Sequence, residues 1–197
     1  LLADDEAAPR RALGRLLRVM GFDVVAVDSG AAALANLVEQ RAGAAGLFDA
    51  LITDLTMPGM SGLELLQAVR TLDADLPVIL ITGAPAAAAA EKALDQGAYK
   101  YLLKPVTGDC LEESVTRAVQ LRQLAQLRRQ AMEVMREQAA DDELGRAFTH
   151  ATAGLWMAFQ PIVDRRGALV GHEALLRTKS DVLRRPPQLL DAAERLG

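Results

Sequence analysis

Five residues in this 197-residue chain have the types and the placement to do chemistry, and each stands at the end of an apolar run. Asp4 and Asp5 follow Leu-Leu-Ala, Asp54 follows 47–53, Thr82 closes 77–82, and Lys104 follows 101–103. Carboxylates gathered at one point repel, by about 4 kcal/mol for a like-charged pair at ~4 Å and an effective dielectric of 20. A hard divalent cation relieves that repulsion, and an oxygen-only donor set suits Mg²⁺ that keeps several of its waters. A carboxylate beside such a cation can attack phosphorus, because the metal neutralises the incoming phosphoryl oxygens. The Thr82 hydroxyl and the Lys104 ammonium are suited to hold the oxygens that remain. Each residue alone has an ordinary reading as loop acid, strand end or surface lysine. Five coinciding at the ends of four strands is a far less ordinary event.

The elements that would position them follow from pattern. The run 47–53 is short, aliphatic and β-prone, as a strand buried on both faces of a parallel sheet should be. It delivers Asp54 at its C-terminal end, where open α/β sheets place their ligands. Pro58 and Gly59 turn the chain, and Ser61 with Glu64 forms an S-x-x-E capping box ahead of Leu63, Leu65, Leu66 and Val69. Elsewhere 1–3 reads as the tail of a strand, 7–20 as a helix with Leu13, Leu16, Leu17 and Met20 on one face, and 23–27 as a strand. Asp28 or Ser29 caps a helix to about Glu39, and 42–46 is a glycine-alanine loop. A strand at 77–82 precedes a helix over 86–96 that Gly97 ends, and 101–103 is a fifth strand closed by Lys104 and Pro105. Five strands alternating with helices predict an α/β fold with a parallel, doubly wound sheet. The ends of its first, third, fourth and fifth strands then meet at one edge.

Composition bounds the rest. The chain is 51% hydrophobic, enough for a real core in one large or two modest domains. Its net charge of −4 and lack of a long basic stretch give no sign of a DNA partner. A single cysteine, Cys110, fits a reducing compartment. No signal peptide opens the chain and the longest uncharged run, 76–90, is too short to span a membrane, so a soluble cytoplasmic protein is expected. The absence of an initiator Met suggests that residues precede Leu1.

The acidic trio Asp4, Asp5 and Glu6, the run DLTMPGMSG at 54–62, Thr82-Gly-Ala and Lys104-Pro105 together resemble the signature of response-regulator receiver domains, with the likeness covering about 1–119. The resemblance implies a flavodoxin-like receiver in which Asp54 accepts a phosphoryl group from a sensor histidine kinase. It further implies Mg²⁺ held by Asp4 and, more directly, Asp5, with Asp54 and the backbone carbonyl of Thr56. Thr82 and Lys104 would bind the phosphoryl oxygens, and the Lys104–Pro105 bond would be cis. Tyr101 occupies the place of the family's switch aromatic, whose ring fills space vacated when Thr82 moves toward the phosphoryl group.

No Gly or Pro interrupts 109–140, so the last receiver helix is expected to run on as one rod of about thirty residues and about 45 Å. Leu111, Ala118, Leu121, Ala125, Met132 and Met135 form one stripe, and Leu124, Leu127, Ala131 and Val134 a second beside it. Arg128 interrupts the first seam. Such a helix over the linker 120–147 predicts a parallel homodimer in a coiled coil. Beyond it, 156–163 and 168–177 read as strands of a hairpin turned by 164–167. Alternation puts Glu173, Leu175 and Arg177 on one face, with Glu173 and Arg177 ~13 Å apart. Alone, this would be an exposed hairpin with ordinary charges.

Phe159 to Asp164 (FQPIVD) and Gly171 to Arg177 (GHEALLR) closely resemble the opening of EAL domains, TIM-like barrels that hydrolyse cyclic di-GMP with divalent metals. The resemblance, over 148–197, implies that Glu173 is a ligand of Mg²⁺ or Mn²⁺ and that Arg177 and Gln160 contact the dinucleotide. Thr178 stands where that family usually has Trp, and the chain reaches only the first barrel strands and a helix over 187–196. The remaining ligands and the catalytic base lie outside it. The expected function is a response regulator whose receiver controls an EAL output in cyclic di-GMP signalling. The alternative is a phosphorylation-gated dimerisation or binding module with a non-catalytic EAL portion. Nothing after Val119 resembles a DNA-recognition helix with basic flanks.

Overall fold

The computed structural model describes residues 1–41, 48–83 and 87–196. By its internal contacts the chain divides into two units, Leu1–Arg128 and Arg129–Gly197.

The first unit is a five-stranded parallel sheet in the order β2-β1-β3-β4-β5, formed by β1 (Leu2–Ala3), β2 (Ala26–Val27), β3 (Leu51–Asp54), β4 (Val78–Thr82) and β5 (Lys100–Leu103). Between them run α1 (Ala7–Val19), α2 (Gly30–Arg41), α3 (Gly62–Leu72) and α4 (Ala87–Asp95), and α5 (Gly108–Ala153) follows. The central strands β3 and β4 are buried along their whole length, as their unbroken aliphatic runs require. One face packs Leu65, Leu66, Val69 and Leu37 against Leu51, Val78 and Leu80. The other packs Leu17, Leu111, Val115 and Ala118 against Ile52, Ile79 and Ile81. The doubly wound arrangement expected from the pattern is therefore present.

Three expectations are corrected. The second strand is not 23–27 but only Ala26–Val27, because its sole partner β1 offers just Leu2 and Ala3 for pairing. The third begins at Leu51, opposite Val78, although Ala50 O already accepts from the Leu1 ammonium at 2.9 Å. The expected loop 42–46, and the first residues of the 47–53 and 86–96 segments, lie outside the described residues. The rod does not end near Ala140: α5 continues to Ala153.

A buried ion pair ties the end of α3 to α5. Arg122 donates from Nη1 to Asp73 Oδ1 at 3.0 Å and from Nη2 to Oδ2 at 2.5 Å, with the Arg122 side chain 2% exposed and that of Asp73 22%. The two partners are thus unequally dependent on each other. Asp73→Asn strands a buried guanidinium and is expected to cost about 3 kcal/mol. Arg122→Met leaves a carboxylate that water can reach, and is expected to cost about 1 kcal/mol. Urea denaturation of the two variants measures the difference, and the reverse order would contradict it.

The second unit contains the rest of α5, an antiparallel pair of β6 (Trp156–Val163) and β7 (Leu169–Arg177), and α6 (Pro186–Leu196). The hairpin and the final helix agree with the sequence pattern, and Gly167 at φ +80° makes the turn. Of the leucines in this segment, Leu169 and Leu190 are exposed while Leu189 is not. Leu189 is buried with Ala151, Leu183 and Ala192, against Leu144, Ala147 and Phe148. That cluster is the reason α5 continues past the charged residues 141–143.

Candidate functional site

Asp54 is the last residue of β3 and is 8% exposed. The next residues leave the sheet without losing their backbone partners: Leu55 N donates to Ile81 O and Gly62 N to Leu55 O, both at 2.9 Å. The loop closes so tightly on α3 that a Cβ at Gly62 would lie 2.3 Å from Asp54 O and 3.0 Å from Leu55 Cα. Only glycine fits there, and its replacement would displace the backbone that carries Asp54. The capping box is formed as read, Ser61 Oγ accepting from Glu64 N and Glu64 Oε2 from Ser61 N.

Lys104 follows β5 through a cis bond to Pro105, and its N–H donates to Thr82 O at 2.7 Å. Its ammonium lies 2.8 Å from Asp54 Oδ1 and 3.0 Å from Asp4 Oδ2. Burial acts to lower the Lys104 pKa, but the contacts with Asp54 and Asp4 and their negative charges outweigh it, and the net shift is upward. Lys104 is firmly cationic. One cation thus faces two carboxylates, and the site keeps a negative excess.

The remaining carboxylate oxygens are fixed by backbone. Thr56 N donates to Asp54 Oδ2 at 3.1 Å and Glu6 N to Asp4 Oδ1 at 2.9 Å. Asp54 Oδ1 is buried and, despite its nearness to the ammonium, has no well-directed hydrogen bond. Thr82 ends β4, buried, on the same sheet edge. Tyr101, on β5, packs partly buried against the cluster that holds Leu65, Leu66 and Leu80, and among the described residues its hydroxyl is buried without a hydrogen-bond partner.

Asp5 stands apart from this cluster. Its residue is exposed, and among the described residues no three acidic, His or Cys side chains are gathered at metal-binding separation. The donor chemistry nonetheless fits a hard cation. The groups at this edge are the Asp4 and Asp54 carboxylates, whose two negative charges the one Lys104 ammonium between them does not balance.

In the second unit Gln160 lies directly opposite Glu173, and Trp156 opposite Arg177. Directly paired residues of an antiparallel ribbon share a face, so Gln160, Glu173 and Arg177 do so. Both strands are largely exposed.

Two participants were not read from the sequence. Gly62 was seen only as the end of a motif. Arg10, in the first turn of α1, donates from Nη1 to Asp4 O at 2.6 Å and Asp5 O at 3.2 Å. A cation one helical turn beyond an acidic trio was the available signal.

Comparison with known proteins agrees with the fold of the first unit. A family model described as the response regulator receiver domain matches residues 1–116. The chemotaxis protein CheY of Pseudomonas aeruginosa is 37% identical over 118 residues, 58% of this chain and 90% of that protein. The C4-dicarboxylate transport transcriptional regulatory protein DctD of Rhizobium meliloti is 35% identical over 183 residues, 92% of this chain but 35% of that protein. Together with the DctD and FleR proteins of Pseudomonas aeruginosa, at 26% and 24%, it shows that the chain spans about a third or less of several curated relatives. Among solved structures, a receiver domain from Clostridium thermocellum superposes with a TM-score of 0.59 at 29% identity, covering 63% of this chain and 95% of that one.

Proposed function

The chain belongs to the response regulator receiver family, and from that membership we propose that Asp54 is the phosphoryl acceptor of a two-component system, charged by a sensor histidine kinase. The observation that carries this reading is the Lys104 ammonium, held between Asp54 and Asp4 at the end of β3. Asp54 Oδ1, the buried oxygen that faces the Lys104 ammonium, is the nucleophile. It forms the new O–P bond while the bond from phosphorus to the donor breaks, the donor leaving with the electron pair. Lys104 and the Thr82 hydroxyl hold phosphoryl oxygens as the charge shifts. Asp5, Asp54, the Thr56 carbonyl and, less directly, Asp4 would hold Mg²⁺, which when bound supplies neutralisation of the phosphoryl oxygens. Movement of Thr82 toward the new group and of the Tyr101 ring into the space behind it is the proposed switch, driven by tighter phosphate binding in one of two states. A cytoplasmic location fits this chemistry; among the described residues no helix is long and apolar enough to cross a membrane.

Incubation with acetyl phosphate and Mg²⁺ tests the reading. Intact-mass measurement is expected to show one phosphoryl adduct, dependent on the metal. A chain that stays unmodified under those conditions contradicts it.

For the output, the reading is that 148–197 begins an EAL domain, with the receiver over 1–119 and a helical linker over 120–147. The pairing of Gln160 with Glu173 in β6 and β7 supports it, since both residues and Arg177 then face one ligand. The dinucleotide would be cyclic di-GMP and the metal Mg²⁺ or Mn²⁺. This 197-residue chain is expected to hydrolyse none of it, because metal-assisted hydrolysis needs a full ligand set, an activated water and a base in one geometry. Chromatography of products after incubation with either metal is the check. Turnover that Glu173→Ala abolishes would overturn the expectation. The second reading, a phosphorylation-gated dimerisation or binding module with a non-catalytic EAL portion, is favoured by the exposed apolar residues of α5, Leu121, Leu124 and Leu127 among them.

A further inference from the structure

We propose that Arg10 is a positioning residue for the divalent-cation site: its guanidinium, hydrogen-bonded to the carbonyls of Asp4 and Asp5, fixes the acidic loop so that the Asp5 carboxylate is presented to the cation. The inference rests on the cation reading given above.

An arginine this close to an aspartate would ordinarily pair with the carboxylate. Arg10 does not: among the described residues its guanidinium makes no ion pair with Asp5, and Nη1 instead reaches the carbonyls of Asp4 and Asp5. The loop is held from its other side as well. Glu6 N donates to Asp4 Oδ1 at 2.9 Å, and Lys104 takes Asp4 Oδ2 at 3.0 Å. Backbone and side chain of Asp4 are thus both fixed, and the Asp5 peptide is fixed by Arg10, while the Asp5 side chain is left exposed. Arg10 itself is anchored in α1, its N–H donating to Glu6 O at 3.1 Å. The result is a rigid frame around one free carboxylate, and groups that orient a metal ligand in this way commonly control affinity as strongly as a ligand's own basicity.

Two effects of Arg10 on a cation have opposite signs, which makes the proposal testable. As a nearby positive charge it weakens binding of a divalent ion. As a clamp on the loop it strengthens binding. Positioning predicts that Arg10→Ala raises the Mg²⁺ dissociation constant about tenfold. Arg10→Lys, which keeps the charge but ends one bond short of the Nη1 that reaches both carbonyls, should also weaken binding, by a smaller factor. A purely electrostatic role predicts the reverse, tighter binding in Arg10→Ala and no change in Arg10→Lys. A purely structural role predicts unchanged affinity with a lowered melting temperature. Either result overturns the proposal.

The measurement is a titration of the whole chain with MgCl₂, without phosphodonor, followed by backbone amide shifts of Thr56 and Thr82. Asp5→Ala serves as the control. If the wild type shows no saturable shift, or Asp5→Ala binds as well as wild type, the cation reading fails and Arg10 with it. If Asp5→Ala loses binding while both Arg10 variants keep it, the positioning role alone is wrong.

Discussion

Asp54→Asn is expected to lower the rate of phosphorylation by at least a hundredfold, leaving no adduct detectable by intact mass, while the fold survives intact. A hundredfold loss corresponds to about 2.7 kcal/mol of transition-state stabilisation, which is modest for removal of a nucleophile. The amide is nearly isosteric with the carboxylate, but its oxygen carries no formal charge with which to attack phosphorus. No neighbour is well placed to substitute. Both Asp4 oxygens are engaged, Oδ1 by Glu6 N and Oδ2 by Lys104, and Asp5 is exposed at the rim. The stability expectation follows from charge. Two carboxylates share the Lys104 ammonium at 2.8 and 3.0 Å, so neutralising one leaves a balanced pair. The melting temperature of Asp54→Asn should therefore equal or exceed that of the wild type. An adduct undiminished in the variant would move the acceptor elsewhere; a large drop in melting temperature would show that Asp54 stabilises the fold through contacts beyond this charge balance.

What the sequence made legible was local or periodic. The capping box of Ser61 and Glu64 needs only four residues to be recognised and only those residues to form. Strands β3 and β4 announce themselves because burial on both faces demands continuous aliphatic runs. Asp54, Thr82 and Lys104 were legible because each terminates a strand, and a parallel sheet brings strand ends to one edge. The less legible features depend on distant partners. The length of β2 is set by β1, not by the β-propensity of 23–27. Asp141 and Asp142 interrupt the apolar pattern of α5, yet Leu144, Ala147, Phe148 and Ala151 pack with Leu183, Leu189 and Ala192, and the helix runs on to Ala153. Asp73 and Arg122, 49 positions apart, carry no pattern that links them. Arg10 is a milder case: its spacing from the acidic trio is visible, but its choice of carbonyls over carboxylates is not.

The double variant Leu124→Asp, Leu127→Asp is expected to weaken self-association of the chain on the order of a thousandfold. In α5 the first apolar residues, Leu111, Val115 and Ala118, are buried in the receiver's own core. From Leu121 on the pattern continues without a covering partner among the described residues: Leu124 and Leu127 are 64% and 62% exposed, and Met132, Val134 and Met135 are exposed as well. Leu124, Leu127, Ala131 and Val134 recur at spacings of three and four, the seam of a two-stranded coiled coil. A second copy of the same helix is the occupant whose apolar spacing matches by construction, which is why the expected assembly is a parallel homodimer. Each leucine has about 1 kcal/mol left to gain on burial, and a symmetric seam removes four at once, so about 4 kcal/mol, or three decades in the dissociation constant, depends on them. Because both side chains face solvent in a single chain, aspartate there should leave the monomer's helical circular dichroism and melting temperature unchanged. Sedimentation equilibrium over a concentration series decides the matter. A wild-type chain that is monomeric throughout would remove the seam as an interface, and a variant that dimerises as tightly as the wild type would place the contact on some other face.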